Sequence, residues 1–117
     1  MPSQLYSVVV DAHDPAALAG FRASALGYSV AYTLPDEVAI EAPDDTGPAI
    51  VFASVPRAKA TKNRLHFELN PDDQVAEVAR LTELGAQHVD IGQRDVPWVV
   101  LADPEGNEFC VLTRRES

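Results

Sequence analysis

Apolar and polar residues follow one order along the first half of the chain. Residues 5–11 are apolar and β-branched, the pattern of a buried strand. Leu18, Phe21, Ala25 and Leu26 then fall at helical spacing. Asp14 suits the start of that helix, because its carboxylate accepts from unpaired N–H groups, and Pro15 follows where a missing N–H costs nothing. Gly27 suits its end. Residues 28–33, 38–42 and 49–55 read as three short strands, parted by Pro35-Asp36 and by the Pro/Asp/Gly cluster at 43–48.

The second half repeats the order. Residues 65–69 read as a strand, and Pro71-Asp72-Asp73 opens a helix carrying Val75, Val78, Leu81 and Leu84 and closed by Gly85. Residues 87–91, 98–102 and 109–113 are the three strands that follow, with 103–107 as a β-turn that uses Gly106 for a positive φ. Asp14 to Gly27 spans 27 − 14 = 13 positions, and Asp72 to Gly85 spans 85 − 72 = 13. Each copy is therefore β-α-β-β-β. The reading is module one at about residues 1–56, a linker at about 57–63 and module two at about 64–117, the pair forming one domain across 1–117 because neither copy closes a core alone.

Composition narrows the partners. The 117 residues carry a net charge of −9. No cluster of Lys and Arg exists to neutralise phosphates, which argues against nucleic acid and anionic membranes. The four cations of Arg57, Lys59, Lys62 and Arg64 are spread out and are expected to solvate the linker. Cys110 is the only cysteine, so no intrachain disulfide forms. No signal peptide and no membrane-spanning apolar run is read, and the expected location is the cytoplasm.

Five segments carry a resemblance: Val8-Val-Val-Asp11-Ala-His-Asp-Pro15, Lys62-Asn-Arg-Leu-His66-Phe, Leu81-Thr-Glu-Leu-Gly85-Ala, Val96-Pro-Trp98-Val-Val-Leu-Ala-Asp103, and the Asp103-Pro-Glu-Gly-Asn turn that runs into the strand ending at Leu112. The chain resembles the small glyoxalase-like domains of the vicinal oxygen chelate superfamily. The resemblance implies an α+β fold of two tandem βαβββ modules, one cleft-bearing, barrel-like domain of mixed β-sheet. It also implies a homodimer and a small-molecule ligand. The superfamily contains metal-dependent isomerases, ring-cleaving dioxygenases, thiol transferases and metal-free proteins that bind cationic antibiotics such as bleomycin, so fold alone leaves the activity open.

Metal-dependent members supply four ligands, one from the first and one from the last strand of each module. By resemblance these positions are Ser7, a place near Ala53, His66 and Cys110, where His, then Glu, Gln or His, then His, then Glu are usual. Only His66 fits, so a divalent metal is expected at most in a degraded site.

Strand alternation puts Glu68 on the face of His66, Glu108 on the face of Cys110, and Ser7, Val9 and Asp11 on one face; Leu65, Phe67, Leu69, Phe109 and Val111 point the other way. The resulting set reads as a displaced metal site, as a metal-free acid/base site with His66 and Glu108 catalytic, or as an anionic pocket with Ser7, Glu68, Trp98 and Cys110 against a ligand. It also reads as a solvated rim with no role. Trp98 suits a cleft wall or the core equally, His13 suits a turn, and His88 the surface. Two functions remain: a lyase, isomerase or oxygenase with a non-standard metal site, or a metal-free sequestering protein for a cationic compound.

Overall fold

The computed structural model describes residues 2–116. It divides into two compact units, Met1–Ala58 and Lys59–Ser117. In the first, β1 (Ser7–Ala12), α1 (Pro15–Leu26), β2 (Ser29–Leu34), β3 (Glu37–Glu41) and β4 (Ala49–Ser54) give a four-stranded sheet in the order β1-β4-β3-β2. β1 runs parallel to β4, and the other pairs are antiparallel. In the second, β5 (Phe67–Leu69), α2 (Gln74–Leu84), β6 (Gln87–His88), β7 (Val99–Ala102) and β8 (Glu108–Val111) repeat that topology as β5-β8-β7-β6. The β-α-β-β-β duplication expected from the pattern is thus present strand for strand.

The repeat can be stated as a register. Val8, Val9 and Val10 face Ile50, Val51 and Phe52. Adding 59 to each number yields the pairs of the second sheet, Phe67 with Phe109, Glu68 with Cys110 and Leu69 with Val111. The same offset takes the α1 cap Asp14, whose carboxylate accepts from Ala17 N–H, to Asp73, which accepts from Ala76 N–H. The second helix therefore starts one residue later than the sequence reading had it: Asp73 caps, not Asp72. Its span to Gly85 is 85 − 73 = 12 positions, and α2 has 11 residues against 12 in α1. Gly27 closes α1 in the left-handed region at φ 70°, as the sequence suggested.

Leu18, Phe21, Ile40 and Phe52 are buried in the first unit, and Leu81, Leu101, Phe109 and Val111 are fully buried in the second. In the first unit α1 packs on β3 and β4. Val38, Ile40 and Phe52 share one face of that sheet by register. The other face presents Val9, Asp11, Tyr32 and Leu34, all exposed.

Two segments are less regular than expected. The strand read at 65–69 begins only at Phe67, and Leu65, expected to pack beneath the helix, is 84% exposed. The strand read at 87–91 stops at His88. There the Asp90 carboxylate accepts from Gly92 N–H at 2.7 Å and the Gln93 side chain from Ile91 N–H at 2.8 Å. Side chains that hold backbone donors in this way compete with a ladder and end it.

Candidate functional site

The turn before β8 sets the position of the candidate residues. Asp103 Oδ1 accepts from Glu105 N–H, Asn107 N–H and the Asn107 side-chain amide at 3.0, 2.9 and 3.1 Å. Gly106 supplies φ 87°, and its N–H donates to Asp103 O. This knot delivers Glu108 as the first residue of β8 with its side chain on the face of Cys110. Glu68 stands directly opposite Cys110 in the parallel pair β5–β8.

Glu108 is 8% exposed, and its Oε1 is engaged twice. Asn63 N–H donates to it at 3.1 Å, and Lys59 Nζ lies 3.1 Å away. Burial alone would push this carboxyl up; the Asn63 hydrogen bond and the Lys59 ammonium outweigh it and hold it below the ordinary range. Lys59 and Asn63 belong to the stretch expected to be a solvated linker, and that expectation is corrected: the stretch docks on β8, and Lys59 lies in the second unit. A buried carboxylate needs a partner, and Lys59 supplies the cation.

Cys110 is 4% exposed and packs with Val100, Leu112 and Val89. Burial first, then the negative charge of Glu68, raises its thiol pKa, with Lys62 opposing. Its thiol therefore ionises less readily than a free cysteine's, which makes it a poor nucleophile. His66 is exposed and sits just ahead of β5, where it would continue the ladder opposite Glu108. Glu68 is exposed, and Trp98 is 38% exposed one residue before β7. His13 and His88 are exposed.

The register also revises the metal positions. Ser7 and His66 differ by 59 and are equivalent, but Ala53 and Cys110 differ by 57. The first-module counterpart of Cys110 is Val51, while Ser7 pairs with Ala49 and Ala53 with Asp11. Neither Val51 nor Ala53 can bind a metal. Among the described residues no three His, Cys, Asp or Glu side chains are grouped to hold a metal ion. The donor set, with Ser7 and Val51 at the first module's positions and Glu108 paired to Lys59, does not fit the superfamily's centre.

In the first unit the sequence reading missed one group. Ala53 stands between Asp11 on β1 and Glu37 on β3, so two carboxylates flank a small residue in one row of the sheet. Tyr32 O–H donates to Glu37 Oε2 at 3.0 Å. Glu37 had no motif around it; only the β3 register reveals its place. An open hollow of about 350 Å³ at the start of α2, lined by Asn70, Asp73, Glu77 and Arg80, contains none of the predicted site residues.

Comparison with known proteins decides the family. The profile of the glyoxalase-like domain matches residues 7–112. The chain belongs to the glyoxalase-like domain family. Solved structures share the glyoxalase-like fold at low identity. A glyoxalase/bleomycin resistance protein/dioxygenase family enzyme from Burkholderia phytofirmans PsJN aligns with a TM-score of 0.74 at 17% identity, covering 97% of this chain and 100% of that one. The oxidase ChaP-H2 aligns at 0.67 and 22%, covering 100% and 98%. A bleomycin resistance determinant encoded on the transposon Tn5 aligns at 0.62 and 15%, covering 97% and 100%. No curated protein matches this glyoxalase-like sequence. Among the described residues no helix is long and apolar enough to cross a membrane.

Proposed function

We propose that this glyoxalase-like protein binds and sequesters a cationic small molecule without a metal centre. One observation carries the reading: Glu108, the buried carboxylate on the face of Cys110, is already paired to Lys59 at 3.1 Å. The lyase, isomerase or oxygenase alternative, with His66 as ligand, needs donors that are engaged elsewhere or missing at Ser7 and Val51. A cationic ligand agrees with the net charge of −9 and with the exposed carboxylates of Asp11 and Glu68. It agrees too with the exposed Tyr32, whose ring offers a face to a cation beside Glu37. A homodimer is part of the proposal, by resemblance.

A thermal-shift series with aromatic ammonium and guanidinium compounds and their uncharged isosteres tests it. The cations are expected to raise the melting temperature with concentration by mass action, and salt to weaken the effect. Equal shifts from charged and uncharged partners, or turnover abolished by a chelator, would overturn the reading.

A further inference from the structure

The connection into the second module is exposed along most of its length. Of residues 59–66, only Lys59 and Asn63 are part-buried; the other six are exposed, and none lies in a helix or strand. These two residues are the ones that reach Glu108, and both reach the same oxygen, Oε1. Glu108 stands on the sheet face of Cys110, with Glu68 directly opposite Cys110, so both contacts fall at that face. Lys62, between them, is close enough to Cys110 for its charge to be felt by the thiol. The segment has no apolar anchor of its own, since Leu65 is 84% exposed.

We propose that residues 59–66 are a strap fastened at Glu108 over the Glu68–Cys110 face of the second sheet, and that breaking the Lys59–Glu108 pair opens this face. A segment with few buried groups and one fastening point belongs to the low-stability end of a fold and opens locally, without global unfolding. Closing it needs both halves of the pair, because a buried carboxylate stripped of its cation is left uncompensated. The strap gates the face and does not depend on what binds there.

Cys110, the sole cysteine, reports on opening in the full chain. The probe is N-ethylmaleimide, which is uncharged and unaffected by the change in local field. Lys59→Met keeps an apolar stem and removes the cation. By electrostatics alone, losing a nearby cation disfavours the thiolate and slows alkylation. Strap opening predicts the reverse, a rise of about tenfold or more in the alkylation rate, with Glu108→Gln behaving alike. Asp73→Ala is the control, since it weakens α2 and leaves the strap contacts in place. An unchanged or slower rate in Lys59→Met overturns the proposal. So does an equal rise in Asp73→Ala, which would mean that the thiol reports global unfolding.

Discussion

Val51 and Cys110 hold the same place in successive modules: each faces a residue 42 positions earlier across a parallel pair, Val9 for Val51 and Glu68 for Cys110. The equivalence has a chemical consequence. One module puts an apolar pair at the row where the other puts a carboxylate beside a thiol. Burial and then Glu68 raise the Cys110 pKa, whereas the Val9–Val51 row has no charge to act on a ligand. A metal centre built symmetrically from both modules therefore lacks strong donors in the first module, where Ser7 and Val51 stand.

A first prediction concerns metal. Titrating Zn, Fe, Mn, Ni and Co into the protein, followed by exhaustive desalting and elemental mass spectrometry, is expected to leave well under one equivalent of any of them. A catalytic zinc commonly keeps about three protein ligands, and among the described residues no such group is present. His66→Ala is expected to change nothing in that assay. One equivalent of a single metal, lost in His66→Ala, would refute the fit argument.

The helix caps separate two readings of the sequence. Asp73→Ala removes the acceptor for Ala76 N–H and is expected to cost about 0.5–2 kcal/mol in urea unfolding. Asp72→Ala, one residue earlier and exposed, is expected to stay within about 0.5 kcal/mol of wild type. Asp14→Ala should match Asp73→Ala through the loss of the Ala17 contact. Equal effects at 72 and 73 would contradict the cap assignment.

That one-residue shift shows what the sequence carried and what it did not. The strand–helix order and the end of α1 at Gly27 were legible because each rests on local chemistry, a capping carboxylate and a residue free to adopt positive φ. Two adjacent aspartates, Asp72 and Asp73, satisfy the same local rule, and only backbone geometry chooses between them. Strand alternation placed Glu68, Glu108 and Cys110 on one face correctly, since period two is a property of any extended chain. The partner of Glu108 was not legible. Lys59 lies 108 − 59 = 49 positions away in a stretch whose composition reads as solvated linker, and no pattern encodes so long a contact. Glu37 was missed for the same reason, because its place beside Ala53 depends on cross-strand register.

Asp103→Ala should be the most damaging polar substitution in the second module. One carboxylate oxygen holds two backbone N–H groups and one side-chain amide, in a residue only 3% exposed. Leaving part-buried donors unpaired costs about 1–3 kcal/mol each, so a total loss above about 2 kcal/mol is expected. Chemical denaturation checks it. A loss below about 0.5 kcal/mol, the range of ordinary surface changes, would show that the turn is held by other contacts.

The Glu108 pair should give the stability of the protein a specific dependence on pH. The folded-state pKa of Glu108 lies below the ordinary value of 4.5. A group depressed in this way stabilises the fold above its unfolded pKa, and the contribution disappears as pH falls through the folded one. Glu108→Gln removes the charge and keeps an oxygen for Asn63 N–H. The variant is expected to be less stable than wild type at pH 7 by about 1–3 kcal/mol, the cost of leaving Lys59 part-buried without its counter-ion. Urea unfolding of both proteins at stepped pH reads the gap. It should hold constant from neutral pH down to about 5, then shrink as wild-type Glu108 takes up its proton in the acid range. Other depressed carboxylates, such as Glu77 beside Arg80, titrate in both proteins and cancel from the difference. A gap that stays constant through the acid range would mean that Glu108 keeps its ordinary pKa and that Lys59 does not stabilise its charge.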